Sequence, residues 1–259
     1  MLKLFEHPLS PYAQKVKLAL LEKGIEFTTE LPDIFTGPNA AFKAANPRLE
    51  VPTLADGDTS VFDSTIILEY VEDKWPAPPL LPATPAARAR VRMLEEVCDT
   101  YYEAINWGLY EIRFFKRAEG ELADEMVARA GRQIAGVDAY LERALGGAAW
   151  FNGAGFGWGD LAVFPAVTAA EFNGFPPAPG SALADWHARA KARPSAERVV
   201  REAMESLAGF AELPGLVASG QFVREYRDHR LEWMLRTGGA RIVMDGMAKG
   251  NIRFSAEMD

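Results

Sequence analysis

Polar and apolar positions change their period along the chain, and the changes mark its organisation. Residues 2–5 read as a short strand. In 11–23, Val16, Ala19, Leu20 and Lys23 fall on neighbouring helical turns, and Gly24 is a stop signal. Residues 25–31 return to strand character, with Thr and Phe. A polar stretch with Gly and Pro covers 32–39, and a short helix precedes Asn46-Pro47. Residues 51–55 and 60–62 read as two strands about the turn Asp56-Gly57-Asp58, and a helix over 64–74 closes the unit. The order is βαβαββα. Early α/β alternation predicts a parallel pair, and the Asp-Gly turn an antiparallel hairpin. A mixed sheet with helices packed on it is the expected result.

Five prolines (76, 78, 79, 82 and 85) follow. Proline fixes φ and removes a donor, so 76–85 is expected to be a stiff linker between a first domain, 1–75, and a second, 86–259. Strand signals nearly vanish after it. Helical patterns cover 86–116, 121–145, 160–172, 182–192 and 195–207, and an extension begins at about 208. The fold class is therefore α/β followed by all-α.

Composition narrows the function. Apolar residues make up 49% of the 259 and charged residues 25%, as in globular chains. No run approaches the roughly 20 apolar residues of a membrane span, and Met1 to Pro8 lacks the order of a signal peptide. The net charge of −8 argues against nucleic acid, whose phosphates need concentrated Lys and Arg. The one cysteine, Cys98, excludes an internal disulfide, so a cytoplasmic setting is expected. His7, His187 and His229 show no ligand spacing, and no metal is expected.

Three spots could carry chemistry. Ser10-Pro11-Tyr12 opens the first helix. Serine is a good N-cap and proline favours the first helical position, so the pair need only start a helix. The same hydroxyl, at a helix end with about half a positive charge, could also donate to a bound thiolate and favour its ionised form. Val51-Pro52 opens a strand; it is either an edge device or a cis-proline that turns the Val51 backbone toward a peptide-like ligand. Asp63-Ser64 precedes a helix, where either Ser64 only caps it or the pair meets the two charges of a zwitterion.

Taken in order, Ser10-Pro11-Tyr12, Asn46-Pro47, Val51-Pro52-Thr53-Leu54, Asp63-Ser64 and the run through Lys74-Trp75-Pro76 resemble the thioredoxin-like glutathione-binding domain of cytosolic glutathione transferases. The stretch from Phe151-Asn152-Gly153 to Gly159-Asp160-Leu161-Ala162 resembles the helix-opening motif of that family's second domain, in which Asp160 is a buried capping group. Trp186 to Ser195 is similar to its late helices. The resemblance covers about residues 1–207 and is to serine-type, bacterial-like members.

That resemblance implies the following. Glutathione is the co-substrate. Ser10 stabilises its thiolate, Val51 pairs with its cysteinyl backbone with Pro52 cis, and Asp63 and Ser64 hold its γ-glutamyl end. Ser10 stands where redox-active relatives carry cysteine, so mixed-disulfide chemistry is disfavoured. The chain departs from the pattern at Leu49-Glu50, where glycine is common, and at Gly157, where a capping Ser or Thr is usual. Lys43 is the nearest candidate for the glycyl carboxylate.

An acceptor pocket is expected between the domains. The helix after the linker carries Tyr101, Tyr102, Trp107, Tyr110, Phe114 and Phe115, a stripe too broad for one face. Tyr12, Tyr102, Tyr110 and Phe114 are the pocket candidates, for a hydrophobic, aromatic-type electrophile. Cys98 is expected to be a small buried residue. The expected outcome is conjugation, dehalogenation or aryl-ether cleavage by a homodimer paired through the helices that begin near Ser64 and Ala86. The alternative is a non-catalytic binding or regulatory protein of the same fold. Residues 222–236 look amphipathic with a basic face, either packed on the second domain or a lid over the pocket.

Overall fold

The computed structural model describes residues 2–32, 39–209, 213–221 and 237–250. The first unit runs β1 (Leu2–Phe5), α1 (Pro11–Glu22), β2 (Thr28–Glu30), α2 (Ala40–Ala45), β3 (Thr53–Asp56), β4 (Thr59–Phe62) and α3 (Ser64–Lys74). Its sheet has the order β2-β1-β3-β4. β1 pairs parallel with β2 and antiparallel with β3, Leu4 opposite Leu54, and β3 pairs antiparallel with β4. The mixed sheet is thus the expected one.

Strand alternation sends neighbouring side chains of β1 to opposite faces. Leu2 and Leu4 join the main core with Val16, Leu20, Leu54, Ile67 and Val71. Phe5 faces the other way and meets Phe42 of α2, ring centroids 5.2 Å apart. Helix α1 is buried on several sides at once, because α3, α7 and α9 all pack on it.

The proline-rich segment is tied down. Lys23 Nζ donates to Trp75 O at 2.7 Å and to Pro78 O at 2.8 Å, and pairs with Glu72. Glu72 in turn accepts from the amides of Leu80 and Leu81.

Helices follow: α4 (Pro85–Val97), a π-helical turn (Cys98–Tyr102), α5 (Glu103–Arg113), α6 (Gly120–Leu145), α7 (Trp158–Phe172), α8 (Ala182–Lys191), α9 (Pro194–Ala208), α10 (Leu213–Ala218) and α11 (Ala240–Lys249). α7 is the hub and is buried almost all round. The single helix expected over 86–116 is instead two α-helices joined by the π turn, which apolar spacing cannot register. Cys98 is buried as expected. Residues 222–236, the candidate lid, lie outside the described residues. α11 buries none of its residues. Among the described residues no helix is long and apolar enough to cross a membrane.

Candidate functional site

Ser10 caps α1, its Oγ accepting from Ala13 N at 3.3 Å. The cap uses a lone pair and leaves the hydroxyl proton without an acceptor among the described residues. Capping and donation to an anion, which competed in the sequence, are therefore compatible.

The Val51–Pro52 bond is cis. The loop before it is folded by Asn46, whose Nδ2 donates to Glu50 O at 2.8 Å and to Thr53 Oγ1 at 2.9 Å. Its Oδ1 accepts from Arg48 N. Leu49, where the resemblance predicted glycine, sits at φ +57 with 46% of its surface exposed. The chain keeps the left-handed turn without the residue that favours it. Lys43 lies exposed on α2.

Asp63 leaves β4 at φ +74 and caps α3, accepting from Thr65 N at 3.1 Å and Ile66 N at 3.3 Å. A non-glycine residue at this φ is strained, and such strain concentrates at functional sites. Ser64 is 6% exposed, and its hydroxyl makes no hydrogen bond among the described residues.

The two helix N-termini are locked together from behind by groups that apolar spacing missed. Lys15 is 1% exposed. Its Nζ lies 2.6 Å from Glu95 Oε1 and 3.4 Å from Thr65 Oγ1, and pairs with Asp99. Glu95 also accepts from Thr65 Oγ1 at 2.8 Å and from the Trp158 indole at 2.6 Å. α1, α3, α4 and α7 meet in this one satisfied cluster. The available signal was a lysine inside a helix that has to be buried on more than one side.

Tyr12 reaches from α1 to the π turn. Its hydroxyl donates to Asp99 O at 2.7 Å, and burial pushes its ionisation far above the ordinary tyrosine range. The π turn prepares that acceptor. The Glu103 amide bonds to Cys98 O, one residue farther back than α geometry would take it, and so does not take Asp99 O. Burial raises Asp99 to about 6, with Lys15 pulling the other way. Glu103, against the Tyr12 hydroxyl, is raised by burial to about 7.

The aromatic candidates separate. Tyr102, expected to line the pocket, is instead 0% exposed, and its hydroxyl donates to Asp138 Oδ1 at 2.9 Å inside the helical domain. Its neighbour relation to Tyr101 could not say which of the two points inward. Tyr110 and Phe114 lie 5.7 Å apart, and Phe114 stacks on Phe172 at 6.3 Å. Burial raises Tyr110 to about 12, and Glu103 acts on it electrostatically. One partly buried face therefore runs from Glu103 to Phe114.

Gly157 also differs from expectation. The missing capping hydroxyl is replaced by Asn152, whose Oδ1 accepts from Gly159 N at 3.2 Å while its Nδ2 donates to Leu80 O at 2.6 Å. A Cβ on Gly157 would stand 2.1 Å from Asn152 Nδ2. Asp160 accepts from the amides of Phe151 and Gly157 and from the Trp186 indole, the buried capping role the resemblance implied.

A sequence profile of the family described as "Glutathione S-transferase, N-terminal domain" matches residues 4–79. Glutathione S-transferase 3 of Zea mays is 30% identical over 210 residues, 77% of this chain and 93% of the relative. A stringent starvation protein A homolog of Coxiella burnetii is 38% identical over 92 residues, 35% of this chain and 43% of the relative. The chain spans 42% to 60% of the length of the stringent starvation protein A relatives it matches. A solved rice glutathione transferase in complex with glutathione superimposes with a TM-score of 0.65 at 26% identity, covering 80% of this chain and 98% of that one.

Proposed function

The chain belongs to the glutathione S-transferase family, and on that basis we propose that it binds glutathione and uses its thiolate to attack a hydrophobic, aromatic-type electrophile. The observation that carries this reading is the Ser10 hydroxyl, held at the N-terminus of α1 with its proton uncommitted. A thiolate placed there gains a hydrogen bond and the helix-end charge, both of which favour the ionised form. The Val51 backbone beside cis-Pro52 takes the cysteinyl unit of glutathione, and Asp63 with Ser64 takes the γ-glutamyl end. Tyr110 and Phe114, on the face that begins at Glu103, suit the apolar acceptor. A second copy packs against α3 and α4, which leave Ile66 and Met93 more than half exposed.

The test is the ultraviolet absorbance of bound thiolate against pH in wild type and Ser10→Ala. Loss of a hydrogen bond to a charged group, worth about 1.5 to 3 kcal/mol, raises the thiol pKa by roughly one to two units. Glutathione affinity is mostly retained, and turnover falls about tenfold or more at neutral pH. Equal midpoints with unchanged turnover would reduce Ser10 to a cap. The stringent starvation protein A relatives motivate a second reading, a regulatory protein without transfer activity; failure to bind immobilised glutathione favours it.

A further inference from the structure

Lys15 lies on α1, five residues beyond Ser10, and at 1% exposure it is too buried to touch a ligand. Its ammonium nevertheless reaches the start of α3. Nζ lies 2.6 Å from Glu95 Oε1 and 3.4 Å from Thr65 Oγ1, and Thr65 Oγ1 donates to the same Glu95 oxygen at 2.8 Å. Thr65 is the second residue of α3 and follows Asp63-Ser64 directly. We propose that Lys15 is a positioning residue for glutathione: by fixing Thr65 through Glu95, it sets the Asp63-Ser64 corner that takes the γ-glutamyl end. The proposal rests on the glutathione transferase reading above.

The corner needs such support. Asp63 sits at φ +74, a left-handed conformation that a non-glycine residue keeps only where its surroundings over-determine it. Its two cap bonds, from Thr65 N and Ile66 N, both end on Oδ1. Oδ2 takes no hydrogen bond among the described residues, which leaves it for the γ-glutamyl ammonium. The cap bonds are exposed to water, whereas the Thr65 hydroxyl ties the corner to the interior.

Lys15 is what makes that tie possible. Glu95 is 2% exposed and is held by Lys15 and by the Trp158 indole at 2.6 Å. Lys15 also pairs with Asp99, and among the described residues it is the cation of both carboxylates. Removing its charge leaves two buried carboxylates uncompensated. Glu95 then takes up a proton or shifts toward water, Thr65 loses its acceptor, and the strained corner relaxes out of its binding geometry. Lys15 belongs to the helix that Ser10 opens, so one cation ties the γ-glutamyl corner to the helix that meets the thiolate.

The experiment measures KM and kcat for glutathione and for cysteinylglycine, with chlorodinitrobenzene as acceptor. Cysteinylglycine keeps the thiol and the glycyl end but lacks the γ-glutamyl unit. Lys15→Met keeps the reach of the side chain and removes its charge; Thr65→Val keeps the ion pairs and removes only the hydroxyl. In both variants KM for glutathione rises, by about tenfold in Lys15→Met. KM for cysteinylglycine and kcat at saturating thiol change little. Lys15→Arg, which keeps the cation, stays closer to wild type. KM does not depend on the amount of folded protein, so lost stability alone does not imitate this result. Thr65→Val decides the matter if Lys15→Met does not fold. Equal rises for the two thiols, or an unchanged glutathione KM in Thr65→Val, overturn the role of Lys15. So does a wild type that uses the two thiols equally well, an outcome that leaves the transferase reading standing. A wild type inactive with both thiols removes that reading, and the role of Lys15 falls with it.

Discussion

The Tyr12 hydroxyl donates to the backbone carbonyl of Asp99, 2.7 Å away across the domain boundary. The bond joins the first turn of α1 to the π turn of the helical domain. Tyr12→Phe removes it and leaves a part-buried carbonyl unpaired, at a cost of about 1 to 2 kcal/mol in chemical denaturation. Because the hydroxyl is spent on Asp99, the pKa of bound glutathione should stay within a few tenths of wild type. A rise of a full unit in the thiolate titration would mean that Tyr12 donates to sulfur.

Leu49 offers a stabilising change. It holds φ +57 with nearly half its surface in water, so little burial is lost on truncation. A non-glycine residue in the left-handed region costs about 1 to 2 kcal/mol, while glycine adds roughly 0.5 to 1 kcal/mol of unfolded-chain entropy. Leu49→Gly should therefore stabilise by about 0.5 to 1 kcal/mol. A lower midpoint in urea would show that the Leu49 side chain contributes contacts beyond its backbone strain.

Asn152 and Gly157 should be energetically coupled. Gly157→Ser places a Cβ into the space of the Asn152 amide and close to Leu80 O. Asn152→Ala removes the acceptor for Gly159 N and the donor to Leu80 O. Each variant alone should cost about 1 to 3 kcal/mol. The pair should cost less than the sum by about 1 kcal/mol, since losing the Asn152 amide relieves its clash with the serine Cβ and leaves the capping task to the serine, while the close approach to Leu80 O remains. Strict additivity over the four-protein cycle would contradict the replacement of one cap by the other.

Glu103 predicts a pH dependence of stability. Its carboxyl is raised from 4.5 to about 7, chiefly by burial. Between those values the folded state keeps a proton that the unfolded chain has lost, so stability falls as pH rises through the window. Glu103→Gln, neutral throughout, should match wild type near the lower end. Above about pH 7 it should exceed it by roughly 1 to 3 kcal/mol. Parallel stability curves from acid to alkaline pH would show that the site does not hold the proton.

Much of the fold was legible from local pattern. Ser10-Pro11 marks a helix start that the structure confirms by a direct cap on Ala13 N. The Asp56-Gly57-Asp58 turn marks the β3–β4 hairpin, with Gly57 at φ +61. The candidate site was legible in the Ser10 cap and the cis bond before Pro52, while the cap of α3 falls to Asp63 rather than to the expected Ser64. It was not legible in its aromatic wall. Tyr101 and Tyr102 are equivalent by composition, and only the position of Asp138 on α6 draws Tyr102 into the core.

By itself the sequence determined what depends on a few adjacent residues: strand alternation, helix starts and stops, the turn types and the proline-rich divide. Each is set by dihedral preference and by hydrogen bonds that close within about four residues. Tertiary structure alone decided the rest. Lys15 is tolerated inside the protein because Glu95 and Asp99, eighty or more residues later, arrive with matching charge. Gly157 works as a helix start because Asn152 lends its side chain to the task. The π turn at Cys98–Tyr102 aims the carbonyl of Asp99 at Tyr12. The physical reason is the same in all three. A buried polar group is stable only when its partner is already in place, and those partners lie far away along the chain, where local pattern does not reach.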